Sequence, residues 1–134
     1  MPIRHWTVLC EEMQDQQGTV SLIHVFINIQ TSSLPVMLSR FSVVSGLEGE
    51  IGEEFTLRVN FRTPEGKPYG PPINPVRYTF RKEVEVLSND FADVPFVEYG
   101  NYAIEIELNG SPVHIVQLAI LRGSFQHNYP FILQ

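Results

Sequence analysis

The stretch Glu98-Tyr99-Gly100-Asn101-Tyr102-Ala103-Ile104-Glu105-Ile106-Glu107-Leu108-Asn109-Gly110 decides the fold class. From Tyr102 onward apolar and polar residues alternate, which is the signature of a strand with one buried face. The run stops at Asn109-Gly110, a dipeptide that accepts positive φ at both central positions of a two-residue hairpin turn. Tyr102 stands at the start of the strand. Its ring is expected to be buried and its hydroxyl to bond to backbone upstream, because a buried tyrosine must satisfy its polar end.

Working outward, the same reading gives seven strand segments in all: Arg4 to Glu11, Thr19 to Ile29, Arg40 to Leu47, Glu53 to Arg62, Tyr78 to Leu87, Tyr102 to Leu108, and Pro112 to Leu121. In the fourth, Phe55, Leu57, Val59 and Phe61 share one face and Thr56, Arg58 and Asn60 the other. No segment sustains helical periodicity; single helical turns are expected at most over Ser32 to Ser39, near Pro35, and over Ser88 to Pro95. Short strands separated by Gly and Pro turns predict an all-β chain, an antiparallel two-sheet sandwich of seven or eight strands, in one domain over residues 1–134.

Three features depart from clean alternation. The second segment is apolar on both faces, with Ile23, Val25, Ile27 and Ile29 against Leu22 and Phe26, and so is the seventh. A strand of that kind is central or covered. The tail from 123 to 134 carries Phe125, Tyr129, Phe131, Ile132 and Leu133, and is expected to pack on its own domain or on a neighbouring protomer. In the fifth segment Lys82 interrupts the apolar phase, which predicts an edge strand or a bulge.

Net charge is −6, from 9 basic and 15 acidic residues. This balance argues against nucleic acid and against anionic membrane surfaces as partners. The single cysteine, Cys10, allows no internal disulfide and fits a reducing compartment. The first residues lack a signal-peptide pattern, and no run approaches the ~20 apolar residues of a membrane-spanning helix. A cytoplasmic location is the resulting expectation.

Reactive constellations are absent from the sequence. His5, His24, His114 and His127 are scattered, with no pair at metal-ligand spacing, and Cys10 reads as a core thiol, so no metal or other cofactor is expected. Glu105 with Glu107, and Glu83 with Glu85, stand on shared strand faces about 6–7 Å apart. They read as solvated faces, paired across strands by Arg58, Arg62 or Arg81. Glu48, Glu50, Glu53 and Glu54, and separately Asp90 with Asp93, are weak calcium-loop candidates that read as charged turns. Ser111 and His114 lack an orienting acid, and there is no nucleophile elbow or phosphate loop. The chain is expected not to be an enzyme, with an unseen hydrolase site as the remaining enzymatic reading.

The surface candidate is Thr63 to Val76, where Pro64, Pro68, Pro71, Pro72 and Pro75 stiffen an extended loop. Pro68, Tyr69, Pro71 and Pro72 form a partner-binding candidate of the polyproline type with Tyr69 as aromatic anchor. Phe125, Tyr129 and Phe131 of the tail form a second.

Three blocks carry a resemblance: Leu9-Cys10-Glu11-Glu12 followed by Gly18-Thr19-Val20-Ser21-Leu22-Ile23-His24-Val25-Phe26; Leu47-Glu48-Gly49-Glu50 with Gly52-Glu53; and Tyr99-Gly100-Asn101-Tyr102 with Asn109-Gly110. Their order resembles a family of small bacterial proteins known only as a domain of unknown function. The resemblance implies no catalytic or binding residue. Tyr102 is also similar to the tyrosine corner of immunoglobulin-like domains, although the inter-sheet disulfide is missing and Trp6 lies in the first strand rather than the third. The sandwich is thus expected to be Ig-like or C2-like. The functional expectation is a non-enzymatic binding or interaction module that takes a protein partner or self-associates, a homodimer being one form. The alternative is a small apolar-ligand carrier, its strands closed as a barrel around Phe26, Phe41, Phe55 and Phe61.

Overall fold

The computed structural model describes residues 2–123 and 132–133. Among them the chain is all-β, with no helix. Its strands are β1 (Ile3–Cys10), β2 (Glu12–Gln16), β3 (Thr19–Ile23), β4 (Asn28–Thr31), β5 (Val36–Glu48), β6 (Glu54–Arg62), β7 (Val76–Thr79), β8 (Val84–Phe96), β9 (Gly100–Leu108), β10 (Ser111–Arg122) and β11 (Ile132–Leu133). One sheet has β5 at its centre, β8 on one side, and β1 and β11 on the other. A second runs β4-β10-β9-β6-β7, and β2 with β3 forms a separate hairpin. Side chains from the two larger sheets form one apolar cluster, which includes Val36, Leu38, Phe41 and Val43 of β5 and Leu57, Val59, Ile104 and Ile106 of β6 and β9.

The deciding stretch forms as its alternation dictates. Tyr102, Ile104, Ile106 and Leu108 are all buried in β9. The Tyr102 hydroxyl accepts the backbone N–H groups of Val97 and Glu98, each at 3.2 Å, which is the upstream bonding expected of it. Phe55, Leu57, Val59 and Phe61 of β6 are buried in the same phase. Leu108 pairs with Ser111, so Asn109 and Gly110 make a two-residue turn with φ of 51° and 79°. The Asn109 side chain also accepts the Thr56 N–H at 3.0 Å, tying the turn to β6. Gly110→Val is expected to lower stability by ~1–2 kcal/mol, because a β-branched residue resists the left-handed region. A urea unfolding curve checks it.

Several expectations are corrected. The described residues hold eleven strands in three sheets, not seven or eight in two. Not all pairing is antiparallel, since β4 runs parallel to β10. The second predicted strand breaks at His24, whose φ of 52° turns the chain out of the hairpin, and Val25 and Ile27 end up exposed. Lys82 makes neither an inward charge nor a bulge. It is exposed in the 80–83 passage, where the chain leaves β7 and joins the other sheet as β8. Ser88 to Pro95 is strand, paired with β5 throughout its length, and the 32–39 segment passes through a cis Leu34–Pro35 peptide into β5.

In the tail, Ile132 and Leu133 pair with Leu38 and Met37 of their own chain. The expectations placed on Phe125, Tyr129, Phe131 and His127 lie outside the described residues.

Candidate functional site

The Pro-rich segment is built around the outer edge of β6. After β6 a tight turn closes with the Thr63 N–H on the Lys67 carbonyl at 2.7 Å, and the Tyr69 N–H then returns to the Phe61 carbonyl at 2.8 Å. β7 pairs with β6 only from Glu54 to Leu57. Between these contacts, over Gly70 to Pro75, no strand among the described residues pairs with Arg58 to Asn60 on that side. Prolines explain the departure, since they offer no N–H to a ladder.

Tyr69 points inward. Its hydroxyl donates to the Pro95 carbonyl, and its ring meets those of Phe96 and Tyr102 at centroid distances of 6.1 and 5.2 Å. This clamps the loop to the end of β8 and to the tyrosine corner. Pro68, Pro71 and Pro72 remain exposed. The loop thus forms a ridge with a cavity on each flank.

The first cavity, about 380 Å³, is almost wholly apolar. Phe61 and Phe91, edge to face at 5.0 Å, line it together with Pro71, Ile73, Val94 and Pro95. Its one charged lining residue is Asp93, exposed and held at φ 54°. β8 has β5 on one side and no strand on the other among the described residues, so the cavity lies beside an open sheet edge.

The second cavity, about 310 Å³, is polar and lies over the outer face of β6 and β9. Here Arg58 binds Glu107, Asn60 donates to the same carboxylate at 2.6 Å, and Arg62 reaches Glu105 at 3.6 Å. The cross-strand pairing expected of Arg58 and Arg62 is present. Glu107, however, is only 8% exposed and so is not on a solvated face. The Arg58 hydrogen bond holds its pKa below the ordinary value.

At the far end of the ridge the 63–66 turn packs on the corner before β9. A Cβ on Gly100 would lie 3.0 Å from the Pro64 ring. The Glu65 and Glu98 carboxyls are within hydrogen-bonding reach of each other there, which lowers the pKa of Glu65 and raises that of Glu98.

A separate polar cluster lies near the start of β2. Glu11 is 4% exposed, and its carboxylate takes His24 Nδ1 at 2.7 Å and Arg40 Nε at 3.0 Å. The Arg40 hydrogen bond, then that of His24, lowers the Glu11 pKa. Asp90 accepts the hydroxyls of Ser42 and Ser88 at 2.6 and 2.7 Å. Cys10 is buried, and burial pushes its thiol up to about 11.

Protonating Glu11 or Glu107 therefore takes a lower pH in the folded than in the unfolded chain. Their contribution to stability is complete above the ordinary glutamate value of 4.5 and is lost as pH falls through their folded values. The urea midpoint is expected to drop in acid. Glu11→Gln with Glu107→Gln should begin lower at neutral pH and lose less on acidification.

The remaining histidines do not converge. His5 reaches Glu48 at 3.4 Å, and His114 is half-buried with its pKa lowered by burial, then by Arg4. The Glu53 carboxylate caps its own turn through the Glu50 N–H at 3.1 Å. Among the described residues, no group of three or more His, Cys, Asp or Glu is placed to hold a metal.

A family model described as a family of unknown function (DUF6941) matches residues 5–121. The chain belongs to this family. The match takes in the Pro-rich loop, all of β8 and both cavities, and stops before the tail. No curated protein matches the chain.

The sequence marks Pro68, Tyr69, Pro71 and Pro72 as a partner-binding candidate, and Tyr69 and Pro71 line both cavities. It gives no such mark for Phe61, Ile73, Phe91 and Val94, because only the meeting of two sheets brings them together. The available signal was Asp93, a charge between the apolar residues Phe91 and Val94.

Proposed function

We propose that this chain is a non-enzymatic binding module whose interaction surface is the apolar groove between the Pro-rich ridge and β8. One observation carries the reading: the groove stays open although aromatic side chains are available to close it. Phe26, Phe41 and Phe55 instead pack in the core, where Phe41 meets Phe26 at 6.3 Å, while Phe61 bridges the core and the groove wall. Apolar surface left beside an open sheet edge is a common docking feature for an extended segment. In this reading the two larger sheets are the layers of an Ig-like or C2-like sandwich. The tyrosine corner and the shared core support that arrangement. The free, buried Cys10 supports a reducing, cytoplasmic setting. The partner is another protein or a second copy of the chain.

Peptides selected by display on the wild-type protein test this reading. They are expected to lose binding to Ile73→Ser while that variant keeps a cooperative melt. Clones indifferent to Ile73→Ser, and to Pro71→Ser as a second variant, would place the interaction surface elsewhere.

The carrier reading also has an observation in its favour. A cavity of about 380 Å³ falls within the range of small-molecule pockets, roughly 300–1,000 Å³. A stoichiometric apolar adduct in native mass spectrometry would favour it.

A further inference from the structure

We infer that β8 pairs through its open edge with β8 of a second copy of the chain, antiparallel about a two-fold axis at Leu87. The inference rests on the edge itself and does not depend on what occupies the groove.

Among the described residues β8 has β5 on one side and no strand on the other. The direction of its backbone groups follows from Pro95. The Pro95 carbonyl accepts the Tyr69 hydroxyl, so it points away from β5. In an antiparallel ladder the N–H and C=O of one residue point the same way, and successive residues alternate. β5 and β8 keep one register offset from Phe96 to Val84. Glu85, Leu87, Asn89 and Phe91 therefore turn their N–H and C=O groups to the open side. An edge of this kind is a template for another strand. It closes at its far end, where Asp93 takes φ 54° and Tyr69 holds Pro95.

Charge chooses the occupant. The edge and its flanks carry Arg81, Lys82, Glu83, Glu85, Asp90 and Asp93, and Arg77 shares a cavity with Arg81 and Glu85. The basic residues stand before the strand, and Asp90 and Asp93 stand in its second half. Antiparallel pairing of two copies sets each basic end against an acidic one. Glu85 accepts only the backbone N–H groups of Arg81 and Lys82, at 3.0 and 3.1 Å. Among the described residues the side chains of Arg81, Lys82 and Asp93 have no ion pair.

Charge also chooses the register. Cross-strand partners share a face, so the axis of a symmetric pair passes through a residue that stands opposite its own copy. Centring on Ser88 or Asn89 sets Glu83 or Glu85 opposite Asp93, and centring on Asp90 sets Asp90 against itself. Like charges directly opposite destabilise a pair. Leu87 is the centre of the longest pairing free of that clash. There Arg81 stands opposite Asp93, Glu83 opposite Phe91, Glu85 opposite Asn89, and Val84 opposite Asp90, with Lys82 diagonal to Asp90. Arg81 and Asp93 both line cavities between β8 and the second sheet, so they meet on one face.

Sedimentation equilibrium of the full chain tests the inference. The wild type is expected to approach twice the monomer mass as concentration rises. Asn89→Pro removes one outward N–H and leaves the β5 ladder intact. It is expected to weaken the dimer about tenfold or more while keeping a cooperative melt. Arg81→Glu should weaken the dimer too, and adding Asp93→Arg should restore it. The register has a readout of its own. Val86 of one copy and Ser88 of the other form a non-hydrogen-bonded pair with Cα atoms about 4.5 Å apart, within reach of a disulfide. Val86→Cys protein mixed with Ser88→Cys protein should cross-link on oxidation far more readily than either alone.

A wild type that stays monomeric at millimolar concentration would overturn the inference. So would a dimer that Asn89→Pro leaves unchanged, since the interface would then lie elsewhere. A dimer lost in Asn89→Pro, with no preference for the mixed cysteine pair, would overturn the register about Leu87. Peptide binding lost in Ile73→Ser decides the groove separately, because neither Asn89 nor Arg81 lines it.

Discussion

Tyr102→Ala should be the most damaging single substitution at the corner, lowering unfolding free energy by about 3–5 kcal/mol. The ring is fully buried, edge to face with Phe96 at 4.9 Å and with Tyr69 at 5.2 Å. Removing it opens a cavity where the start of β9, the end of β8 and the Pro-rich loop meet. Tyr102→Phe separates the two contributions of this residue. It keeps the ring and removes only the acceptor of the Val97 and Glu98 N–H groups. Its expected loss is about 1–2 kcal/mol, since the two donors recover part of their bonding from water. Guanidinium unfolding of both variants measures the difference. If Tyr102→Phe unfolds like wild type, the hydroxyl contributes nothing to the corner.

Gly49→Val should cost about 2–3 kcal/mol or prevent folding altogether, by forcing bulk into a filled space. A Cβ at Gly49 would lie within 2.7 Å of Phe80 Cδ2 and Cζ. The Phe80 ring is buried and packs tilted against Phe55 at 4.8 Å, so it has no room to retreat. Backbone bonds hold both sides of the contact: the Gly49 N–H to the Glu83 carbonyl at 2.9 Å, and the Phe80 N–H to the Glu53 carbonyl at 2.9 Å. Gly46 is the contrasting control. A Cβ there meets the Trp6 ring, which is 37% exposed and free to swing outward, so Gly46→Ala should be much milder. Equal losses at Gly46 and Gly49 in the same unfolding assay would contradict this account of the Phe80 contact.

How much was legible follows from where each residue's environment comes from. β6, β9 and their turns were readable because one face of each meets the core and the other meets water or charge, so sequence period and burial coincide. The corner was readable because Tyr102 bonds only four and five residues upstream. β8 was obscured by Asn89, Asp90 and Asp93, which read as turn residues. Asp90 is tolerated in the strand because two serine hydroxyls bind it, one of them from β5 across the sheet. The break between β3 and β4 was hidden by continuous apolar residues, with the left-handed His24 the only departure. Tyr69, expected as an aromatic anchor for a partner, turns inward instead. Its local prolines predicted an exposed ridge, whereas its own ring is captured by Phe96 and Tyr102.

The Glu11 cluster was missed because its partners come from 13 and 29 residues away. No local spacing signals such a triad. The Cys10-Glu11-Glu12 block marked the position without revealing that Glu11 would be enclosed by Arg40 and His24.

The most direct measurement of the groove is a chemical-shift map of isotope-labelled protein titrated with a peptide selected on the wild type. The account predicts the largest amide shifts at Phe61, Gly70, Ile73, Phe91 and Val94, with the β2–β3 hairpin and the outer face of β10 unmoved. Shifts concentrated on Val113, Ile115 and Leu121, exposed apolar residues of β10, would contradict it.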